Sequence, residues 1–213
     1  MNRGRMVAVM NEVAVRSKNR FVTESVHTYL AQVADVLQKV PQEALERAIY
    51  RLDQARWQGQ QVFTCGNGGS AATAIHFASD LAKGALAADK PPIKAQSLCD
   101  NVALLTAWAN DMSYDDVFTQ RMAPWVKAGD VLIAISGSGN SINVLKAVEL
   151  ANSRSATSVA LTGMDGGRLA KLATVSLTVP SENMERVEDL HLVLTHIMKS
   201  YLKMLIENDL AVS

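Results

Sequence analysis

Two short apolar runs in this chain each end in a turn of glycine and serine and pass at once into a helical pattern. Gln61-Val-Phe-Thr-Cys65 leads into Gly66-Asn-Gly-Gly-Ser70, and Asp130-Val-Leu-Ile-Ala-Ile135 leads into Ser136-Gly-Ser-Gly-Asn-Ser141. A strand that turns directly into a helix is a βα unit, and the helix must fold back to cover the strand. Such turns also suit an anion. Glycine admits close backbone approach, and the following helix offers unpaired N–H groups at the positive end of its dipole. Ser136, Ser138 and Ser141 add hydroxyl donors that could surround a single phosphoryl group. One turn of this kind is equally an ordinary tight connection; two in one chain favour a ligand.

The alternation continues to the end of the chain. Strands are predicted at 61–65, 93–98, 130–135, 157–162 and 175–179. Helices are predicted at 70–83, 101–110, 114–127, 141–153, 167–173 and 185–208, with Pro124 bending or shortening the third. Apolar strands alternating with helices predict an α/β fold, a doubly wound, five-stranded parallel sheet flanked by helices. Lys94 and Gln96 place 93–98 at an edge. Both glycine–serine turns then fall at the carboxyl ends of strands, where such sheets bind ligands.

Before the first strand, Val22, Val26, Tyr29, Leu30, Val33, Val36, Leu37 and Val40 recur near helical spacing. Pro41 ends that helix and opens a second, whose apolar face runs through Leu45, Ala48, Ile49 and Leu52. This N-terminal helical extension has no sheet position of its own, and its apolar faces suit a neighbouring subunit. Residues 1–20 read as a flexible extension, with Met6 or Met10 as alternative starts, and 21–210 as a single domain.

Composition narrows the function. Lysine plus arginine equals aspartate plus glutamate at 21 each, which argues against a nucleic-acid groove. Only Cys65 and Cys99 are present, the usage of reduced, buried cysteine. No apolar run approaches the roughly 20 residues that span a bilayer. Met6-Val-Ala-Val-Met10 is too short for a signal peptide, so a soluble cytoplasmic protein is expected.

Of the histidines, His76 shares a helix face with Asp80 at i and i+4, and His191 and His196 lie on the last helix with Glu188. A His-x3-Asp pair can hold a metal or place an acid and a base beside a sugar; otherwise it is a surface pair. Glu188 and His196 would stand about 12 Å apart along an ideal helix and about 80° around it, so one metal reaches both only if their side chains lean inward. His191 either supports a ligand or packs in the core, and the core is favoured. His27 reads as exposed or interfacial. The chain has neither a Gly-x-Gly-x-x-Gly opening nor a Walker lysine, so a single sugar phosphate fits better than ATP or a dinucleotide. Cys65, at a strand end without a histidine partner in sequence, reads as core rather than nucleophile.

Cys65-Gly-Asn-Gly-Gly-Ser70, Ile75-His-Phe-Ala78, Ile135-Ser-Gly-Ser-Gly-Asn-Ser141 and Ala160-Leu-Thr-Gly-Met-Asp-Gly-Gly167 together resemble the sugar isomerase (SIS) family. Within it they are most similar to the phosphoheptose (sedoheptulose 7-phosphate) isomerases, from about residue 20 to 210. The resemblance implies conversion of sedoheptulose 7-phosphate to D-glycero-D-manno-heptose 7-phosphate through an enediol. It also implies one Zn2+ per subunit and a homotetramer with sites at subunit interfaces. It assigns the phosphate to Ser136, Gly137, Ser138 and Ser141, and sugar contacts to Asn67, Gly68, Gly69, Ser70, Asn110 and Asp111. Asp80 and Glu188 would also touch substrate. The implied metal ligands are His76, Asp80, Glu188 and His196, with Asp80 and His196 as the acid/base pair.

The chain departs from the family at several of these positions. Asp80 stands where glutamate is usual, Glu188 where glutamine is, and Glu185 where aspartate is. An arginine expected shortly after the acid is absent, leaving Lys83. The shorter Asp80 must still make hydrogen-bond contact for proton transfer, and Glu188 would add an anionic ligand to a divalent ion. A non-catalytic branch, the replication-initiator-associating proteins, lacks the histidine that this chain has at His196, which favours an enzyme. A phosphosugar-sensing or protein-binding SIS domain, and an isomerase of another phosphorylated sugar, stay open.

Overall fold

The structure, a computed structural model, describes the backbone of residues 3–208 and the side chains of Lys18 and of residues 21–208. The chain divides between Gln38 and Lys39 into two units. The first holds helix α1, Arg3–Leu37. It takes in the helix predicted from Phe21 and, from Arg3 on, the segment read as an extension; residues 1, 2, 209 and 210 of the expected divisions lie outside the described residues. Phe21, Val22, Val26 and Leu30 are exposed on α1, as is His27.

The second unit carries the sheet. Pro41 stands at the N-cap of α2, Gln42–Trp57, which buries Ala44, Ala48, Ile49 and Leu52. The five strands are β1 (Gln61–Gly66), β2 (Lys94–Ser97), β3 (Val131–Ser136), β4 (Thr157–Gly163) and β5 (Val175–Val179). All pair in parallel in the order β2-β1-β3-β4-β5. Central strands need two apolar faces, and β3 is buried along its whole length. Edge strands need only one. β2 leaves Lys94 and Gln96 exposed, as their polarity predicts, and β5 alternates buried Val175, Leu177 and Val179 with Ser176 and Thr178.

The helices are α3 (Gly69–Ser79), α4 (Val102–Asp111), α5 (Val117–Met122), α6 (Ile142–Ser153), α7 (Gly167–Leu172) and α8 (Met184–Glu207). α2 and α3 each pack on α8, and all three pack on the sheet, while α6 packs between α5 and α7. Two predicted helices are shorter than their patterns. The one over 70–83 gives way at Asp80 to a π turn, Asp80–Gly84. The one over 114–127 divides into a 3₁₀ turn, Tyr114–Asp116, and α5, which stops before Pro124.

The strand order reverses direction between β1 and β3. β1 connects outward to β2 on one side, and β3, β4 and β5 follow on the other. At such a switch point the two flanking loops leave in opposite senses and open a crevice at the strands' carboxyl ends. Here those loops are the two glycine–serine turns.

Candidate active site

The crevice is a cavity of about 220 Å³ lined by Asn67, Ser70, Ile135, Ser136, Gly137, Ser138, Ser141, Met184 and Glu188. The hydroxyls of Ser136 and Ser141 lie 3.2 Å apart. Ser141 occupies the N-cap of α6 yet makes no capping bond with its side chain, which leaves that hydroxyl for a ligand. Ser138 Oγ accepts from the Asn140 N–H at 3.3 Å, so its own proton is free. Gly68 caps α3, whose first turn opens on the same space. Gly69 lets the Glu188 carboxylate lie against the start of α3, and a Cβ there would push that carboxylate aside.

The serine loop is held in shape by the turn after β4. Gly137 O accepts from Gly163 N at 2.8 Å, and Gly139 O accepts from Leu169 N at 2.9 Å. Asn140 Nδ2 donates to Ser138 O at 2.8 Å, while its Oδ1 accepts from Arg168 N at 3.2 Å. Gly139 has a φ of +64° and abuts the Gly166 carbonyl, so only glycine fits. The Thr162-Gly-Met-Asp-Gly-Gly167 stretch therefore acts as a buttress.

Asn67 is fixed by two residues that sequence reasoning did not single out. Its Nδ2 donates to Asn143 Oδ1 at 2.8 Å, and its Oδ1 accepts from Asn143 Nδ2 at 2.9 Å and from the Tyr114 hydroxyl at 2.8 Å. Asn143 follows the serine loop directly, on α6, and its burial, which the sequence does not display, is what marks it out.

A second cluster lies farther along α3 and α8, the helices that bring Ser70 and Glu188 to the cavity. His76 Nε2 is 3.0 Å from His196 Nε2 and 3.4 Å from Asp80 Oδ2, with His196 Nε2 3.8 Å from the same oxygen. His76 and Asp80 come from α3 and the π turn, His196 from α8. The three ligand atoms fall within 4.8 Å of one another. A shared proton or a cation reconciles two imidazole nitrogens at this separation, and two nitrogens with a carboxylate oxygen form a zinc-type donor set.

The structure does not bring every expected residue together. Glu188, which the resemblance implied as a further ligand, is apart from the His76–Asp80–His196 cluster and lines the serine cavity instead, because it lies two helical turns along α8 from His196. Asn110 and Asp111 stand exposed at the end of α4, hydrogen-bonded to each other at 3.0 Å, and do not line the cavity. It is Tyr114, just beyond them, that reaches Asn67. His191 is a core residue, its Nε2 on the Thr162 carbonyl oxygen at 3.0 Å. Burial raises the pKa of the Cys65 thiol well above its usual value, and the neighbouring Cys99 adds to this, so Cys65 is no thiolate nucleophile. Among the described residues no helix is long and apolar enough to cross a membrane.

Comparison with known proteins agrees with this geometry. The SIS domain family profile matches residues 28–163. The phosphoheptose isomerase of Shewanella denitrificans is 40% identical over 186 residues, covering 86% of this chain and 91% of that protein. That of Mycobacterium bovis is 45% identical over 145 residues, 68% of this chain and 74% of that protein. The solved phosphoheptose isomerase of Neisseria gonorrhoeae superposes with a TM-score of 0.79 at 33% identity, covering 86% of this chain and 99% of that one.

Proposed function

The chain belongs to the SIS domain family, and from that premise we propose that it is an aldose–ketose isomerase converting sedoheptulose 7-phosphate to D-glycero-D-manno-heptose 7-phosphate. The observation that carries the reading is that α3 and α8 present an anion-type cavity at one level and the His76–Asp80–His196 cluster at another. Between Glu188 and His196 the axis of α8 runs about 12 Å. That separation suits a long phosphorylated sugar held by one end and altered at the other.

The hydroxyls of Ser136, Ser138 and Ser141 and the first-turn N–H groups of α6 bind the phosphate without a cationic side chain. Binding at this non-reacting end orients the carbonyl end. One of Asp80 and His196 removes the proton from the carbon beside the carbonyl, giving an enediol, and the other moves protons between the two oxygens. His76, Asp80 and His196 would hold a zinc ion, which when bound would polarise the substrate's carbonyl; whichever of Asp80 and His196 takes the proton would be released from the ion to do so. The same reading takes the enzyme as a cytoplasmic homotetramer; exposed Val102, Leu104, Met112 and Trp125 support contact between subunits.

The deciding experiment is an NMR assay of the purified protein with sedoheptulose 7-phosphate, with and without zinc. Appearance of the aldose phosphate establishes the isomerase. Binding without conversion would instead favour a sensing domain or another phosphosugar.

A further inference from the structure

We propose that Tyr114 is a positioning residue which, with Asn143, holds the Asn67 amide so that it offers an N–H rather than its carbonyl to a bound phosphorylated sugar. This rests on the phosphosugar reading given above. The backbone N–H of Val144, in the first turn of α6, faces Asn143 Oδ1 at 2.9 Å. An N–H can only donate, so the atom it meets is the carbonyl oxygen, and the Asn143 amide has one orientation. Its Nδ2 then points at Asn67 and requires an acceptor, which is Asn67 Oδ1 at 2.9 Å. Asn67 Nδ2 closes the ring onto Asn143 Oδ1 at 2.8 Å. Tyr114 Oη lies 2.8 Å from Asn67 Oδ1, an atom with lone pairs only, so the hydroxyl commits its single proton there. One backbone N–H thus sets the direction of every bond in the chain.

Two chemical consequences follow at the cavity wall. Asn67 Oδ1 has both lone pairs engaged, and the second hydrogen on Nδ2 is what remains for a ligand oxygen. Tyr114, whose single proton is committed to Asn67 Oδ1, has no donor left for a ligand and acts on the cavity through Asn67. The turn that carries Tyr114 is tied to α6 as well, through Asp116 and Lys146 at 2.7 Å. Asn143 is only 2% exposed, so water does not replace it. Without these partners a half turn of the Asn67 side chain would present a carbonyl to the ligand's oxygens and lose a donor.

The test compares wild type, Tyr114→Phe, Asn67→Ala and the double variant. Calorimetry gives the Kd for sedoheptulose 7-phosphate, and the isomerase assay gives KM and kcat. Loss of one neutral hydrogen bond to Asn67 is expected to raise Kd and KM about three- to tenfold in Tyr114→Phe, with kcat and the thermal midpoint essentially unchanged. In the Asn67→Ala background the same change should have no further effect, because Tyr114 acts through Asn67. Unchanged Kd and KM in Tyr114→Phe, or an equal loss in the Asn67→Ala background, overturns the proposal. Wild type that binds the sugar without converting it would defeat the isomerase reading alone, and the Kd comparison still decides for Tyr114. Wild type that does not bind it defeats both.

Discussion

His191 is 1% exposed and packs beneath β4, and burial lowers its pKa from 6.5 to about 4. It is neutral in the folded protein at pH values where the unfolded chain already binds a proton. Stability therefore falls as pH drops from about 6.5 to about 4 and levels off below, a loss of about 3 kcal/mol from this side chain. His191→Gln keeps a donor but cannot titrate. Urea unfolding at pH 7, 5.5 and 4 should show the variant losing about 3 kcal/mol less than wild type across that range. Parallel losses would show that His191 is not held neutral. If the proposed mechanism holds, Asp80→Ala and His196→Ala at the His76–Asp80–His196 cluster should each lower kcat by at least about a hundredfold while the thermal midpoint stays within a few degrees. Activity retained in either variant removes that residue from the proton transfers. These residues were legible in different degrees. The serine loop announced itself because its donors are contiguous, and His76 and Asp80 because a helix puts i and i+4 on one face. Asn143 and Tyr114 were not legible, because their partner Asn67 is 76 and 47 residues away. Only the strand order brings them together.

Asp130 shows how an element end can depend on one side chain. It is fully buried ahead of β3, with Oδ1 accepting from Gln61 N and Oδ2 from Lys127 N, both at 2.9 Å. One carboxylate thus aligns the start of β1 and the turn into β3, the two strands that carry the site loops. Asp130→Ala removes a buried carboxylate that accepts from two part-buried N–H groups and should cost about 2–3 kcal/mol, with Asp130→Asn intermediate because its amide supplies only one acceptor. Chemical denaturation of the two variants checks the order; an Asn variant as unstable as the Ala variant would mean that charge rather than acceptor count dominates. The strands were the most readable elements, since burial on both faces leaves apolar runs such as Val131–Ile135, and β5 alternates as an edge strand must. Helix ends were less readable. Nothing in Ile75-His-Phe-Ala-Ser-Asp80 marks the change to a π turn, which is an outcome of packing against α8 and β2 rather than of local preference.

At the scale of the whole second unit, the site is a product of chain order. Alternating strands and helices predict a doubly wound sheet, but which strands flank the reversal is fixed by pairing, and the pairing puts β1 beside β3. The same arrangement brings His76 and His196, separated by 120 residues, to 3.0 Å. A metal ion at this cluster would tie α3 to α8 and so bind the folded chain in preference to the unfolded one. At a free zinc concentration a hundred times Kd, that preference adds about 2.7 kcal/mol. For a chain of this size the thermal midpoint should rise by about 5–10 °C. Differential scanning fluorimetry with and without zinc reads the shift directly. His196→Ala and His76→Ala should each lose most of it, while His27→Ala, on the exposed surface of α1, should keep it in full. An equal rise in all three variants would place the zinc elsewhere on the protein, and no rise in wild type would leave the three side chains as an acid/base cluster alone.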